Sequence, residues 1–153
     1  MPRITPPPLT QEPEVLHPVL GATLGPCAHA VLGDPGGVTQ FGVHLEMLPP
    51  GSRSSFRHWH ETEDEMVCML SGSVMLIEVR ETPLHPGDVA AWPAGSPAGH
   101  CLENRSETEA RYLTIGSRHA VDRIHDPDHD LITEKTGSGR RSFHADGRER
   151  MSP

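Results

Sequence analysis

Short runs of alternating apolar and polar residues decide what this chain can fold into. The segment 40–47 is apolar on one side and more polar on the other, which is the period-two pattern of a β-strand. Its apolar positions are Phe41, Val43, Leu45 and Met47, and the alternate positions are Gln40, Gly42, His44 and Glu46. Further strand-like runs cover residues 52–60, 65–71, 73–80, 88–92, 99–104 and 110–115, with turn-forming residues between them. No run has sustained helical periodicity, so the sequence predicts an all-β sandwich or barrel.

The two ends of the chain differ from the middle in composition. Six prolines within residues 1–18 predict an arm without regular structure that hangs free or packs along the barrel. Residues 117–153 are polar and charged, and we expect a loosely ordered extension whose final residues are disordered. The candidate anchors of this extension are Ile124, Leu131, Ile132 and Phe143. Without internal repeats, we predict an N-terminal arm with a first edge segment (1–36), one barrel (37–118) and a partly disordered extension (119–153).

The composition disfavours several classes of function. A chain of 153 residues is long enough for one domain with its own core. A formal net charge of −8 argues against binding nucleic acid, which needs a concentrated basic surface. The single lysine, Lys135, lies in the polar extension, so we do not expect Schiff-base chemistry in the core. The three cysteines show no paired spacing and the longest apolar run, 66–70, is short, so we expect a cytoplasmic protein that does not enter a membrane.

Histidine and glutamate residues in the middle of the chain follow a pattern that suits a metal ion. His58 and His60 point to the same side of a strand, because side chains alternate sides, and Glu65 begins the next strand after a turn. His100 follows later in the chain, so one barrel could bring three imidazoles and a carboxylate to one point. Apolar neighbours on the same faces are Val67, Met69 and Leu102. Imidazole with carboxylate suits Fe, Mn, Ni, Co or Zn, so we predict one divalent metal ion per chain.

Simpler interpretations exist for each element of this pattern. A His-x-His pair alone is equally consistent with surface or core histidines, and Glu65 follows an acidic turn that would be solvated anyway. A second cluster, residues 125–130, mimics the start of a calcium-binding loop. It lacks the glycine and the final glutamate that such a loop needs, because Leu131 and Gly137 occupy those positions. We therefore interpret residues 125–130 as a solvated loop.

Glycines and prolines frame the histidines in two blocks. The first block is Gly51, six residues, His58-x-His60, four residues, Glu65, six residues and Gly72. The second is Gly87, five residues, Pro93-Ala94-Gly95, then His100, three residues and Asn104. Together they resemble the two signature blocks of the cupin superfamily. The chain is most similar to small single-domain bacterial cupins, a largely uncharacterised branch of conserved barrels that includes proteins labelled sugar-isomerase-like or oxalate-decarboxylase-like.

The resemblance implies a single cupin double-stranded β-helix, which is a jelly-roll barrel. It also implies a homodimer, which is one way to protect exposed sheet edges. By the same resemblance, the metal ligands are His58, His60, Glu65 and His100. Many relatives have a second histidine where this chain has Cys101, but by strand parity this residue points away from the ligands.

Three classes of function remain open. The first is a metalloenzyme of the isomerase, lyase or dioxygenase type that binds a small polar metabolite directly to the metal, with Glu65 as a candidate base. The second is a non-catalytic cupin that binds or senses a small molecule through the metal, and the third is a purely structural barrel. An enzyme needs a proton donor or acceptor near the metal, for which the candidates are His44, Arg53 and Tyr112.

Overall fold

The computed structural model describes residues 3–151, which contain fourteen β-strands and one single-turn 3-10 helix, Asp34–Gly36. The strands are β1 (Thr10–Leu16), β2 (Thr23–Val31), β3 (Phe41–Leu48), β4 (Trp59–His60), β5 (Glu65–Ser71), β6 (Val74–Ile77), β7 (Glu81–Leu84), β8 (Val89–Trp92), β9 (Cys101–Glu103), β10 (Ala110–Ser117), β11 (Asp122–Asp126), β12 (Leu131–Thr136), β13 (Gly139–Phe143) and β14 (Glu149–Arg150). The prediction of an all-β fold is confirmed. No helix in the described part of the chain is long and apolar enough to cross a membrane.

Three antiparallel sheets make up the molecule. A six-stranded sheet has the order β1-β2-β3-β10-β5-β8, and a three-stranded sheet has the order β7-β6-β9. The hydrophobic core lies between these two sheets, since both contribute its buried side chains. The six-stranded sheet supplies Leu48, Val67, Met69, Trp92, Ala110 and Tyr112, and the three-stranded sheet supplies Val74, Leu76, Leu84 and Leu102. A third sheet, β14-β13-β12-β11-β4, is built mostly from the C-terminal part of the chain.

Strand β3 turns its more polar side toward the interior. His44 and Glu46 border cavities that also contain Glu65, whereas Phe41 on the opposite side is 45% exposed. The neighbouring strand β10 continues this inner face, because Thr114 pairs with His44 and Tyr112 with Glu46. The sequence left both orientations of β3 open, and the structure places the polar side inside.

The C-terminal residues are more ordered than the sequence predicts. Instead of a loosely ordered extension, residues 122–150 contain β11 to β14, and β11 pairs with β4 beside the histidines. Of the predicted anchors, Leu131 is fully buried. Three polar residues are buried as well, although the sequence pattern would place them at the surface: Asp122, Asp126 and Ser142. Because polar residues occupy buried positions, these strands lack the alternation of apolar and polar residues by which a strand is recognised in a sequence. The end of the predicted disordered segment, residues 152–153, lies outside the described residues, and the division into three segments stays a prediction.

The proline-rich N-terminal segment also forms a strand. The expectation that residues 1–18 lack regular structure is wrong for β1, which pairs with β2 at the edge of the six-stranded sheet. Pro13 cannot donate a hydrogen bond, and the pairing register shifts between Glu12 and Val15 at this position. An edge strand tolerates such an interruption because one of its sides has no partner to lose.

Candidate functional site

The four predicted ligand residues lie on neighbouring segments of the barrel. His58 and His100 form an isolated antiparallel bridge, in which each backbone N–H donates to the other residue's carbonyl at 3.2 and 3.1 Å. His60 ends β4, and Glu65 begins β5. Because His58 and His60 are two residues apart in extended backbone, both rings point to the same side, as the sequence predicts.

All three imidazole rings face the carboxylate of Glu65. The distance to Glu65 Oε2 is 3.1 Å from His100 Nε2, 3.6 Å from His60 Nε2 and 3.7 Å from His58 Nε2. The ligand atoms of His58, Glu65 and His100 lie within 4.8 Å of one another, which is close enough to hold a single ion. All four side chains are mostly buried, so water competes weakly for the same positions.

Each ring also has an acceptor at its other nitrogen. His58 Nδ1 lies 3.0 Å from the Phe56 carbonyl, and His100 Nδ1 lies 3.1 Å from the Ala98 carbonyl. His60 Nδ1 lies 2.6 Å from Asp122 Oδ2. Carbonyl and carboxylate oxygens only accept, so Nδ1 must carry the proton in each ring. In a neutral ring this leaves the Nε2 lone pair pointing at Glu65.

Three lone pairs that face one carboxylate require a positive charge between them. Burial lowers the pKa of His58, but the interaction with Glu65 raises it more, so the net pKa lies above the ordinary value. Burial by itself raises the pKa of Glu65. The hydrogen bonds and charges of His100 and His58 lower it by more, so the pKa of this carboxyl lies well below its usual range. Extra protons on the rings would supply the charge but would repel one another at this spacing. A divalent cation would supply this charge with a single ion, and imidazole with carboxylate is a donor set that suits one.

Trp92 fixes the orientation of the His100 ring. The two rings are stacked, with centroids 3.6 Å apart and planes 5° from parallel. The indole Nε1 of Trp92 donates to Glu78 at 2.8 Å, so the indole itself is held in place. His100 therefore cannot rotate without disturbing the core.

Asp122, which the sequence analysis did not single out, holds His60. This fully buried side chain lies on β11 and accepts hydrogen bonds from His60 and from both the backbone N–H and the hydroxyl of Thr62. With Glu63 and His60 it forms a second cluster of ligand-type groups. Lys135 already contacts Glu63, and Thr62 already contacts Asp122, so we interpret this cluster as the support of His60. No sequence signal links residues 60 and 122, because the C-terminal strand pairing brings them together.

A small inner cavity of about 130 Å³ adjoins the cluster, and Glu46 is its second carboxylate. Val67 and Leu102 border the cavity as predicted, while Met69 is buried in the core. Burial raises the pKa of Glu46, and the opposing effect of His29 is smaller. A carboxyl with a raised pKa beside a ligand cluster is a candidate for proton transfer. Glu46 therefore joins the candidate catalytic groups.

The three proton-transfer candidates named from the sequence have different outcomes. Tyr112 borders the inner cavity, where burial raises the pKa of its hydroxyl well above the ordinary value. His44 borders an adjoining cavity that also contains His60 and Glu65. Arg53 instead pairs with Glu103 at 3.3 Å and borders neither of these cavities.

Cys101 is buried and borders the inner cavity next to His100, although parity places its side chain away from the ligands. Burial raises the pKa of this thiol to about 11. A thiol that stays protonated is a poor nucleophile, which agrees with its interpretation as a small hydrophobic residue.

Two expectations about the C-terminal residues need correction. The expectation of a solvated loop at residues 125–130 holds only in part. His125 and Asp126 end β11, and Asp126 is buried, whereas residues 127–130 form the largely exposed turn that leads to β12. Within this segment His125 contacts Glu61 and stacks on Trp59, and Asp128 forms an ion pair with Arg57. These contacts hold the segment against residues 57–61, which include two of the predicted ligands. Lys135 does not lie in a remote tail but borders the cavity that contains His60 and Glu65.

Comparison with known proteins shows the family. Residues 44–116 match the model of the cupin domain. A sugar phosphate isomerase structure from Silicibacter pomeroyi is 36% identical, with a TM-score of 0.85 over 92% of this chain and 90% of that chain. A structure from Acidithiobacillus ferrooxidans, provisionally assigned the same activity, is 26% identical, with a TM-score of 0.77 over 84% of this chain and 82% of that chain. No curated protein matches this sequence.

A more distant structure agrees in fold alone. A predicted oxalate decarboxylase from Thermotoga maritima is 24% identical, with a TM-score of 0.58 over 72% of this chain and 94% of that chain. The chain belongs to the cupin superfamily. The jelly-roll barrel expected from the two sequence blocks is thereby confirmed.

Replacing Asp122 tests its role in joining the third sheet to the site. Asp122→Ala leaves the Thr62 N–H and His60 without their acceptor, so we expect the free energy of unfolding to fall by about 1–3 kcal/mol. Asp146→Ala removes an exposed carboxylate that accepts hydrogen bonds from Arg148, and it serves as the control. Urea unfolding measures both variants, and equal stability of the two would contradict the support role.

Proposed function

We propose that this protein is a metal-dependent isomerase of a small hydroxy-carbonyl metabolite. His58, His60, Glu65 and His100 hold one divalent metal ion in this proposal, and Fe, Mn, Ni, Co and Zn all suit the donors. The observation that carries it is the pair of acceptors around each imidazole ring, one at Nδ1 and Glu65 at Nε2. The names of the two relatives from Silicibacter pomeroyi and Acidithiobacillus ferrooxidans support the isomerase class.

The side chains around the proposed metal site have different roles in the reaction. A divalent metal held by His58, His60, Glu65 and His100 would polarise the carbonyl and hydroxyl oxygens of such a substrate. Glu46 removes a proton from the hydroxyl-bearing carbon beside the carbonyl and returns it to the carbonyl carbon, while the proton of that hydroxyl group passes to the carbonyl oxygen. Together the two proton transfers convert an aldose into a ketose. The inner cavity is partly walled by Val67, Trp92 and Leu102, which keep water from the reacting carbons. In this proposal Glu65 is a metal ligand, and Glu46 replaces it as the proposed base.

A non-catalytic cupin that binds a small molecule is the alternative. Such a protein would have no use for a proton acceptor beside the metal site. Glu46 borders the inner cavity with a raised pKa, and this supports the enzyme over the binding module. Turnover by the Glu46 variant described below decides between the two.

Metal retention tests the ligand assignment. His58→Ala removes one of the four donors, so we expect metal content after dialysis to fall at least about tenfold from near one ion per chain. His85→Ala replaces an exposed histidine in the turn before β8 and should retain the metal. Elemental analysis by mass spectrometry measures both variants, and unchanged metal content in His58→Ala would refute the site.

Proton transfer by Glu46 has its own test. Wild-type protein, loaded with metal and incubated with a panel of aldoses and aldose phosphates in D₂O, should introduce deuterium beside the carbonyl, as followed by proton NMR. Glu46→Gln should slow the exchange at least about a hundredfold while metal content is unchanged. Glu109→Gln, which alters an exposed carboxylate paired with Arg111, is the control. Exchange at the wild-type rate in Glu46→Gln would exclude it as the base, and no exchange by wild type would favour the binding module.

We further propose that the protein is a homodimer. The outer side of the six-stranded sheet exposes Phe41, Leu70 and Val89 at 45%, 47% and 54%, and an apolar sheet face of this kind is typical of an interface. Sedimentation equilibrium should give twice the chain mass of 16.7 kDa, and Phe41→Arg should shift the mass toward one chain. Val79→Arg, at a position 94% exposed and outside this sheet, should leave the dimer intact. A wild-type mass of one chain would rule the dimer out.

A further inference from the structure

A second cavity, lined in part by basic side chains, adjoins the proposed metal site. This basic cavity has a volume of about 360 Å³, and His60 and Glu65 form part of its wall. Its cationic side chains are Arg118, Lys135 and Arg140. His44 also lines the cavity, but burial lowers the pKa of its ring, so it is not counted among the cations. The three cations share the cavity with the carboxylates of Glu63, Asp64 and Glu65. A molecule in this cavity would reach two of the four proposed metal ligands.

The carboxylates around the basic cavity are already engaged. Glu63 contacts Lys135, and Asp64 accepts a hydrogen bond from the Ala94 N–H at 2.8 Å. Glu65 faces the three imidazole rings. Among residues 3–151, no carboxylate lies within 4 Å of the Arg140 guanidinium, although other arginines nearby have ion-pair partners. Arg140 therefore offers a full positive charge to a ligand.

Strand pairing places two cations directly opposite each other at this cavity. Lys135 of β12 is the register partner of Arg140 of β13, and both border the cavity. Like charges directly opposite each other destabilise a sheet, and here the Glu63 carboxylate compensates Lys135 but not Arg140. The next pair along, Glu134 and Arg141, has opposite charges and lies on the other face.

Two glycines of the six-stranded sheet border the basic cavity. Gly42 and Gly116 are register partners on β3 and β10, and both border the cavity. A Cβ on Gly42 would lie 3.4 Å from the guanidinium nitrogens of Arg118. The glycine thus leaves room for this arginine at the cavity wall.

We propose that the basic cavity binds the phosphate group of the substrate, while the hydroxy-carbonyl end of the same molecule reaches the metal site. This inference rests on the proposed isomerase function and deepens it by naming a phosphorylated sugar as the substrate class. Arg140 presents a planar guanidinium group that matches two phosphate oxygens. Arg118 and Lys135, which already contact Asp34 and Glu63, offer their remaining N–H donors to the same phosphate.

Titration of inorganic phosphate into the full-length protein tests the cavity without relying on the metal. The protein is first treated with chelator, so that phosphate cannot bind a metal ion and failure of the metal site does not affect the result. Isothermal titration calorimetry should show one saturable site in the wild type, and Arg140→Gln should weaken its Kd at least about tenfold. Arg141→Gln is the matched control, because Arg141 is the next residue of β13 but bonds to Glu149 at 3.0 Å on the other face.

Competition then separates a phosphate ester from free phosphate. Ribose 5-phosphate should displace inorganic phosphate from the wild-type protein, and ribose should not. Equal Kd values in Arg140→Gln and Arg141→Gln, or no saturable site in the wild type, would overturn the assignment. Binding of inorganic phosphate without displacement by ribose 5-phosphate would overturn the substrate class.

Discussion

The buried carboxylate of Glu65, with three imidazole rings turned toward it, is the arrangement on which the site depends. Each imidazole ring has an oxygen acceptor near Nδ1 and the Glu65 carboxylate near Nε2. Positive charge between Glu65 and the Nε2 atoms would therefore offset the repulsion between the carboxylate and the nitrogen lone pairs. A proton-based solution would place several imidazolium ions within a few ångströms of one another. A divalent cation resolves the same conflict with a single ion, which is why the donor set supports a metal centre.

Each histidine is held by a different part of the fold. The carbonyl of Phe56, in the segment before β4, fixes His58, and the stacked indole of Trp92 fixes His100. Asp122 fixes His60 from the third sheet. The barrel alone therefore does not complete the site, and the C-terminal strands belong to it. The same strands supply Lys135 and Arg140 to the basic cavity, so the third sheet contributes both to the support of the proposed metal site and to the proposed recognition of substrate.

The parts of the molecule that depend on local pattern could be predicted from the sequence. The runs at 65–71, 88–92 and 110–115 correspond to β5, β8 and β10, and the spacing of His58, His60, Glu65 and His100 anticipates their convergence. The parts that depend on distant pairing could not be predicted. Asp122 contacts a residue 62 positions away, and burial of Asp122 and Ser142 removes the polar-out alternation that marks a strand.

Function also reverses the usual rule of strand orientation. In β3 the apolar side would be assigned to the core by hydrophobicity alone, yet His44 and Glu46 face inward. In a barrel that surrounds a polar site, some inward-facing strand positions are occupied by polar functional residues. The outward-facing positions of the same strand can then be apolar, as the proposed dimer interface requires. The proline in β1 is a similar case, since only its place at a sheet edge makes the strand acceptable.

The central claim is that His58, His60, Glu65 and His100 hold one metal ion. X-ray diffraction from crystals of metal-loaded protein, with data collected on both sides of that metal's absorption edge, tests it most directly. The account predicts one anomalous peak per chain, enclosed by the three Nε2 atoms and the Glu65 carboxylate. No peak at that position in crystals shown to contain the metal, or a peak between Glu63 and Asp122 instead, would contradict it.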